Sequence, residues 1–342
     1  MRIGVLTGGG DCPGLNAVIR AIVRKAERTY RDEVIGFHDG WLGVIEDRWM
    51  RLDIERVRGL LPRGGTMLGT SRVQPFGVPN GVDRVRQTLA DNGIDAIVSV
   101  GGEGTLAATA ELFDEGLPVV GVPKTIDNDI EGTDLTFGFI TAVEVATEAI
   151  DRLHTTAESH NRVMVVEVMG RHTGHIATWA GIAGGAAMTL VPEEPFDIHA
   201  VCRAIVRRHE SGRYATIVVV AEGARPVEGT LDIGVDERDQ FGHIKLGGIA
   251  NIVAAEIGRR TGIDTKVTIL GHVQRGGTPS AFDRVLCSWL GVAAVEAVHD
   301  GAFGTMMSLR GSLVARVPLA DIKGKVRVVD PVLLDAAKVF FA

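Results

Sequence analysis

Cysteine is scarce: only Cys12, Cys202 and Cys287 occur, far apart, in 342 residues. Their spacing contains no paired metal-ligand motif, and an odd, sparse count suits a reducing compartment better than a disulfide framework. Aromatic residues make up only 5% of the chain, so its cores must be built from Val, Ile, Leu and Ala. No apolar run has the length of a membrane span; the most apolar window, residues 177–191, is short and glycine-rich. The apolar part of the first ten residues is too short for a signal peptide. Positive charge is not in surplus either. The net charge of −7 argues against nucleic acid or an anionic membrane as a general partner. These absences lead to the expectation of a cytoplasmic protein with no nucleic-acid and no membrane partner.

Glycine is plentiful, with 44 residues, and β-branched runs alternate with helical patterns. That alternation predicts an α/β fold in which helices cover a parallel sheet. Strands are expected at Ile3–Leu6, Val34–Phe37, Ala96–Val100, Val119–Val122, Val163–Val168, Thr216–Val220 and Val267–Leu270. Between the first two, Leu15, Val18, Ile22 and Ala26 recur at helical spacing, marking one buried stripe. Further helices are expected at Val82–Asp91, Thr105–Glu115, Ala142–His154, Ile198–Glu210, Ile249–Arg260 and Ala281–Val298. The length fits two domains, with a break near Gly138. Residues 224–247 read as a polar, exposed excursion.

Three glycine-rich loops suit phosphate: TGGGDCPGLN (7–16), VGGEGTLAA (100–108) and RGGTMLGTSR (63–72). Successive glycines let backbone N–H groups approach an anion, and a following helix adds its N-terminal dipole. In the second loop Thr105 is expected to cap that helix, while Glu103 offers a carboxylate. Each loop alone is equally compatible with an ordinary tight turn; three together favour phosphate. The dinucleotide fingerprint fails, because after Gly8 and Gly10 its third glycine would fall on Pro13. A P-loop fails too, since Gly324 and Lys325 are followed by Val326.

A fourth segment, VVGVPKTIDNDIEGT (119–133), crowds Lys124, Thr125, Asp127 and Asp129 at the tip of an apolar strand. Burying such a cluster without purpose is costly, so the strand is presenting these groups. SHNRV, VMGRHTGH and LGHVQRGGTPSAFDR carry Arg162, Arg171 and Arg275 beside strand-like runs. At a strand's carboxyl end Arg171 faces the crevice where doubly wound sheets bind ligands. His172 and His175 lack a zinc pattern and read as ordinary polar residues.

Taken in order, GGGDCPGLN, RGGTMLGTSR, GGEGT, PKTIDND, EVMGRHTG, AEG and LGHVQRGGTP make the chain resemble the 6-phosphofructokinases, from residue 3 to about 290. The resemblance implies two Rossmann-like three-layer α/β/α domains with mainly parallel sheets. Residues 1–138 with about 275–324 would form a donor-nucleotide and Mg²⁺ domain; 139–274 with about 325–342 would form a fructose 6-phosphate domain. It implies phosphorylation of the sugar's 1-hydroxyl with Asp127 as general base, assisted by Thr125, Arg171 and Asp129. Gly10, Arg72, Val73, Gly102, Glu103, Gly104 and Thr105 would hold the donor, with Glu103 on Mg²⁺. Thr125, Ile126, Asp127, Met169, Gly170, Arg171, Glu222, His272, Val273, Gln274 and Arg275 would hold the sugar phosphate. Arg162 and Lys266 would come from a neighbouring subunit, which implies a homodimer or homotetramer with shared active sites.

Position 104 and position 124 bear on the donor. In the resembled family a glycine at 104 marks ATP users, and a lysine at 124 marks pyrophosphate users; this chain has Gly104 with Lys124. A carboxylate at 104 would repel the nucleotide's α-phosphate by roughly 4 kcal/mol at about 4 Å and an effective dielectric of about 20. Lys124 can attract a terminal phosphate from either donor and discriminates less. ATP is therefore the expected donor, with pyrophosphate as the alternative. A non-catalytic sensor would need no base such as Asp127.

Overall fold

The structure is a computed structural model describing residues 1–234 and 246–340. Its strands are β1 (Arg2–Gly8), β2 (Glu33–Phe37), β3 (Trp49–Leu52), β4 (Ala96–Gly101), β5 (Val119–Pro123), β6 (Val163–Val168), β7 (Met188–Leu190), β8 (Thr216–Ala221), β9 (Thr265–Ile269), β10 (Thr305–Arg310) and β11 (Leu313–Pro318). The chain forms two compact units, residues 1–141 with 275–326 and residues 142–274 with 327–342. Part of the expected 224–247 excursion lies outside the described residues.

In the first unit the strand order is β11-β10-β5-β4-β1-β2-β3. The inner five run parallel, and β3 and β11 close the edges antiparallel. Every residue of β4 and β5 is buried, as expected when helices cover both faces of a parallel sheet. The stripe Leu15, Val18, Ile22 and Ala26 is buried as its spacing predicts. The first three belong to the helix Leu15–Lys25, and Ala26 opens the π-turn Ala26–Tyr30 that follows. Each fully buried aliphatic side chain contributes on the order of 2 kcal/mol.

The second unit holds a four-stranded, all-parallel sheet ordered β7-β8-β6-β9. Val165 and Val218 pack there with Ile198, Ile205, Val253 and Ile257 from the covering helices Ile198–Glu210 and Ile249–Thr261.

Both sheets have a switch point. From β1 the chain builds outward to β2 on one side and then resumes at β4 on the other. In the second sheet β6 is flanked by β8 and β9. Doubly wound sheets bind ligands in the crevice outside the carboxyl ends of such strands. Among the described residues no helix is long and apolar enough to cross a membrane.

Candidate active site

In the first unit the carboxyl ends of β5, β4 and β1 lie side by side. They carry the acidic tip and the first two glycine-rich loops. Gly8 of β1 pairs with Gly101 of β4, and Thr105 fits against both. A Cβ on Gly8 would stand 2.6 Å from the Thr105 hydroxyl oxygen, and one on Gly101 would overlap the Thr105 side chain. Thr105 therefore does not cap the following helix. The cap is Gly102, in extended conformation, ahead of the helix Glu103–Asp114. No side chain caps this end among the described residues, so its backbone N–H groups remain available to an anion. Glu103 and Gly104 are exposed in that first turn.

The third loop is laced to the first. The Gly9 N–H donates to the Ser71 carbonyl at 2.9 Å, and the Thr70 hydroxyl donates to the Gly9 carbonyl at 2.5 Å. Asn16 donates to the Gly64 carbonyl at 3.0 Å and accepts the Met67 N–H at 2.8 Å. Arg72 emerges exposed beyond this lacing, and Val73 packs against the core.

At the tip of β5, Lys124 is only 3% exposed, and its ammonium donates to the Gly10 carbonyl. Burial pushes its pKa below the ordinary lysine range, and Arg275 adds to that effect. Arg275 belongs to this unit and donates to the Asp11 carbonyl at 3.2 Å, beside Gly10. Both cations thus steady the first glycine loop.

Thr125, Ile126 and Asp127 are buried, and Asp129 is half-buried. The Asp127 N–H donates to the Thr125 hydroxyl at 3.0 Å, and the Thr136 hydroxyl donates to the Thr125 carbonyl at 2.7 Å. Asn128 adopts the left-handed region at φ 55° and accepts the Thr136 N–H at 3.0 Å. None of these three bonds uses the Asp127 carboxylate.

Asp283 is a support absent from the sequence-based site. Fully buried, it accepts the Gly138 N–H at 2.9 Å, the Thr141 N–H at 2.8 Å and the Thr141 hydroxyl at 2.5 Å. Burial raises its pKa, and these hydrogen bonds oppose the rise. The available signal was S-A-F-D at 280–283, a capping pattern; Ser280 does cap the helix Ala281–His299.

In the second unit the carboxyl ends of β6, β8 and β9 bring together Met169, Gly170, Arg171, Glu222 and His272. Glu222 accepts the Gly170 N–H at 3.2 Å and the Arg171 N–H at 2.9 Å. Arg171 sits at φ 55°, and any Cβ on Gly223 would collide with its carbonyl. Glu193, also unanticipated, accepts the Gly174 N–H through both oxygens at 3.0 Å and the Val329 N–H at 3.1 Å. His272 and Val273 are exposed, whereas Gln274 is fully buried and donates to the Gly271 carbonyl at 3.1 Å.

Arg162 and Lys266 stand at the other end of this sheet. They lie at the amino ends of β6 and β9, where both pair with Asp264, the lysine at 2.8 Å. A strand rises about 3.3 Å per residue, so roughly 20 Å of β6 separates Arg162 from Arg171. One chain does not bring these cations to one ligand.

His175, four residues beyond Arg171, is buried at the start of the helix His175–Ala183. Burial holds its pKa at about 4, partly opposed by its hydrogen bond to the Arg327 carbonyl at 3.0 Å. Folded, it stays neutral; unfolded, it takes a proton near pH 6.5. Protonation thus favours the unfolded chain. Stability is complete above about pH 6.5 and declines as pH falls toward 4, by on the order of 3 kcal/mol. The wild type should lose more melting temperature between pH 7 and pH 5 than His175→Gln does. Equal losses would remove His175 as the cause.

Among the described residues no three His, Cys, Asp or Glu side chains cluster to cage a metal. Mg²⁺ needs no such cage, because it keeps waters and takes one or two carboxylates plus substrate phosphates. The exposed Glu103 in a phosphate-ready helix turn fits that mode.

Uncapped glycine turns at one switch point and a fixed acidic turn on the adjacent strand suit an enzyme that moves a phosphoryl group. Comparison with known proteins narrows this class. The Phosphofructokinase family model matches residues 2–298, and the chain belongs to that family. It is 56% identical over 342 residues to the ATP-dependent 6-phosphofructokinase of Mycobacterium leprae, covering all of both chains. It is 54% identical, again over all of both chains, to the pyrophosphate–fructose 6-phosphate 1-phosphotransferase of Streptomyces coelicolor. A crystal structure of Pichia pastoris phosphofructokinase in the T-state superposes with a TM-score of 0.83 at 34% identity. That match covers 94% of this chain and 35% of the longer one.

Proposed function

We propose that the protein transfers the terminal phosphoryl group of ATP to the 1-hydroxyl of fructose 6-phosphate, yielding fructose 1,6-bisphosphate. The observation carrying this reading is the acidic β5 turn beside the glycine turns of β4 and β1 at one switch point. Asp127 takes the proton from the sugar hydroxyl as that oxygen attacks phosphorus, since phosphoryl transfer asks the protein mainly for positioning and charge neutralisation. Thr125 and Arg171 stabilise the moving phosphoryl group, and Asp129 supports the turn. Gly10, Arg72, Val73 and the 102–105 turn hold the donor. Glu103, together with the donor's phosphates, would hold Mg²⁺, which would supply neutralisation of the charge on the phosphoryl group being transferred. Met169, Gly170, Glu222, His272, Val273, Gln274 and Arg275 form and support the sugar-phosphate site.

The separation of Arg162 and Lys266 from the Arg171 loop supports a second assignment. These two cations serve the sugar phosphate of a neighbouring copy, in a homodimer or homotetramer. The donor domain corresponds to the first unit and the sugar domain to the second. The three thiols are free and buried, which fits a reducing cytoplasm.

Near-equal identity to relatives named for ATP and for pyrophosphate leaves the donor to local chemistry. Gly104 supports ATP; Lys124 is the observation on the pyrophosphate side. Its ammonium is occupied by the Gly10 carbonyl, which favours a bracing role over donor selection. Side-by-side assays on fructose 6-phosphate, coupled through aldolase, should show turnover with MgATP and little with pyrophosphate. Pyrophosphate-only turnover would overturn the donor assignment, and no turnover with either would overturn the function.

A further inference from the structure

Gln74 belongs to none of the site residues above, yet it borders the position that bears on donor choice. Its backbone is extended (φ −119°, ψ 142°) just before the short turn Pro75–Gly77. Successive side chains of an extended segment alternate faces. Val73 packs into the core of the first unit, so Arg72 and Gln74 leave on the other face. The Gln74 carboxamide reaches the first turn of the helix Glu103–Asp114. Its Nε2 stands 3.8 Å from where a Cβ on Gly104 would be, and no other described group outside the helix comes within 4 Å of that point. Its Oε1 is buried with no hydrogen-bond partner among the described residues. The amide is therefore placed by packing and not locked into a polar network, and its terminal torsion can present either end.

We propose that Gln74 is a donor-specificity residue whose side-chain amide donates a hydrogen bond to the α-phosphate of ATP, in the space that Gly104 leaves open. This rests on the reading of the protein as an ATP-dependent phosphofructokinase. The uncapped helix turn at Gly102 offers N–H groups to phosphate. A neutral amide beside it adds a donor without adding charge. Pyrophosphate ends one phosphate short and has nothing to place there, so the contact rewards the nucleotide alone.

The test is steady-state kinetics on the full chain with MgATP and fructose 6-phosphate varied in turn, plus calorimetric titration with MgADP. Gln74→Ala should lower kcat/KM for MgATP and weaken MgADP binding, each by about tenfold, as for one lost hydrogen bond to a charged group. The KM for fructose 6-phosphate should move by less than about twofold. Gln74→Glu, which puts a carboxylate against the same phosphate, should cost MgATP more than about a hundredfold. A merely structural role would weaken both substrates together. The inference is overturned if Gln74→Ala leaves MgATP kinetics unchanged or damages both substrates equally while the wild type uses MgATP. A wild type that does not turn over MgATP overturns the donor assignment and this inference at once, so the unaltered enzyme tells the two failures apart.

Discussion

Asp127→Ser is expected to lower kcat for fructose 6-phosphate phosphorylation by at least about a hundredfold, with a modest change in KM for the sugar. A positioned general base contributes roughly 10²–10⁴-fold, and a hundredfold corresponds to about 2.7 kcal/mol of barrier. The surroundings make this a clean experiment. The turn is held by the Asp127 N–H on the Thr125 hydroxyl, the Thr136 hydroxyl on the Thr125 carbonyl and the Thr136 N–H on Asn128. None of these bonds uses the Asp127 carboxylate. Serine therefore removes the base and leaves these restraints in place, so the loss should appear in kcat and not in sugar binding. Steady-state rates at saturating MgATP decide it. A kcat like that of the wild type would remove Asp127 from its proposed role.

The inner strands were legible because parallel strands buried on both faces must be runs of β-branched residues. VMVVEV in β6 and TIVVVA in β8 leave little room for another reading. Strands β3, β7, β10 and β11 were not anticipated, each for a physical reason. β3 and β11 are edges with partly exposed residues, so neither carries an apolar run. β7 has only three residues. In β10 the four buried residues are Met306, Met307, Ser308 and Leu309, none of them β-branched or aromatic, so the run gives no β signal. β9 begins two residues before the expected Val267, because its register is set by pairing with β6. Its burial is only partial, and no local pattern marks where it starts.

The same division runs through the candidate site. Glycine turns and the acidic tip are local chemistry, so they could be read directly. The groups that steady them act across long stretches of chain and could not. Asp283 bonds Gly138 and Thr141 from more than 140 residues away, and Asn16 holds a loop about 50 residues on. Thr105 shows the limit from the other side. A threonine at a helix start reads as a cap, but packing against Gly8 and Gly101 draws it inward, and a glycine takes the cap position.

Gly104→Asp is expected to reduce kcat/KM for MgATP by on the order of a thousandfold, far more than Lys124→Gly does. The geometry decides which physical effect is responsible. Among the described residues outside its own helix, a Cβ at 104 would meet only Gln74 Nε2, at 3.8 Å, so crowding by the protein is not the obstacle. What remains is the nucleotide itself, against which asparagine adds bulk and aspartate adds bulk and charge. A carboxylate about 4 Å from a nucleotide phosphate costs roughly 4 kcal/mol at an effective dielectric of about 20, or three powers of ten in affinity. Lys124 presents the opposite case. It is buried, with its ammonium on the Gly10 carbonyl, so Lys124→Gly leaves a void and loosens the first glycine loop. Its cost should appear mainly as a lower melting temperature, with less than about a tenfold loss in kcat/KM for MgATP. Gly104→Asn separates shape from charge, because it matches the aspartate in size and carries no charge. MgATP use by Gly104→Asn should stay within about tenfold of the wild type. Equal damage from asparagine and aspartate would refute the electrostatic account of donor choice.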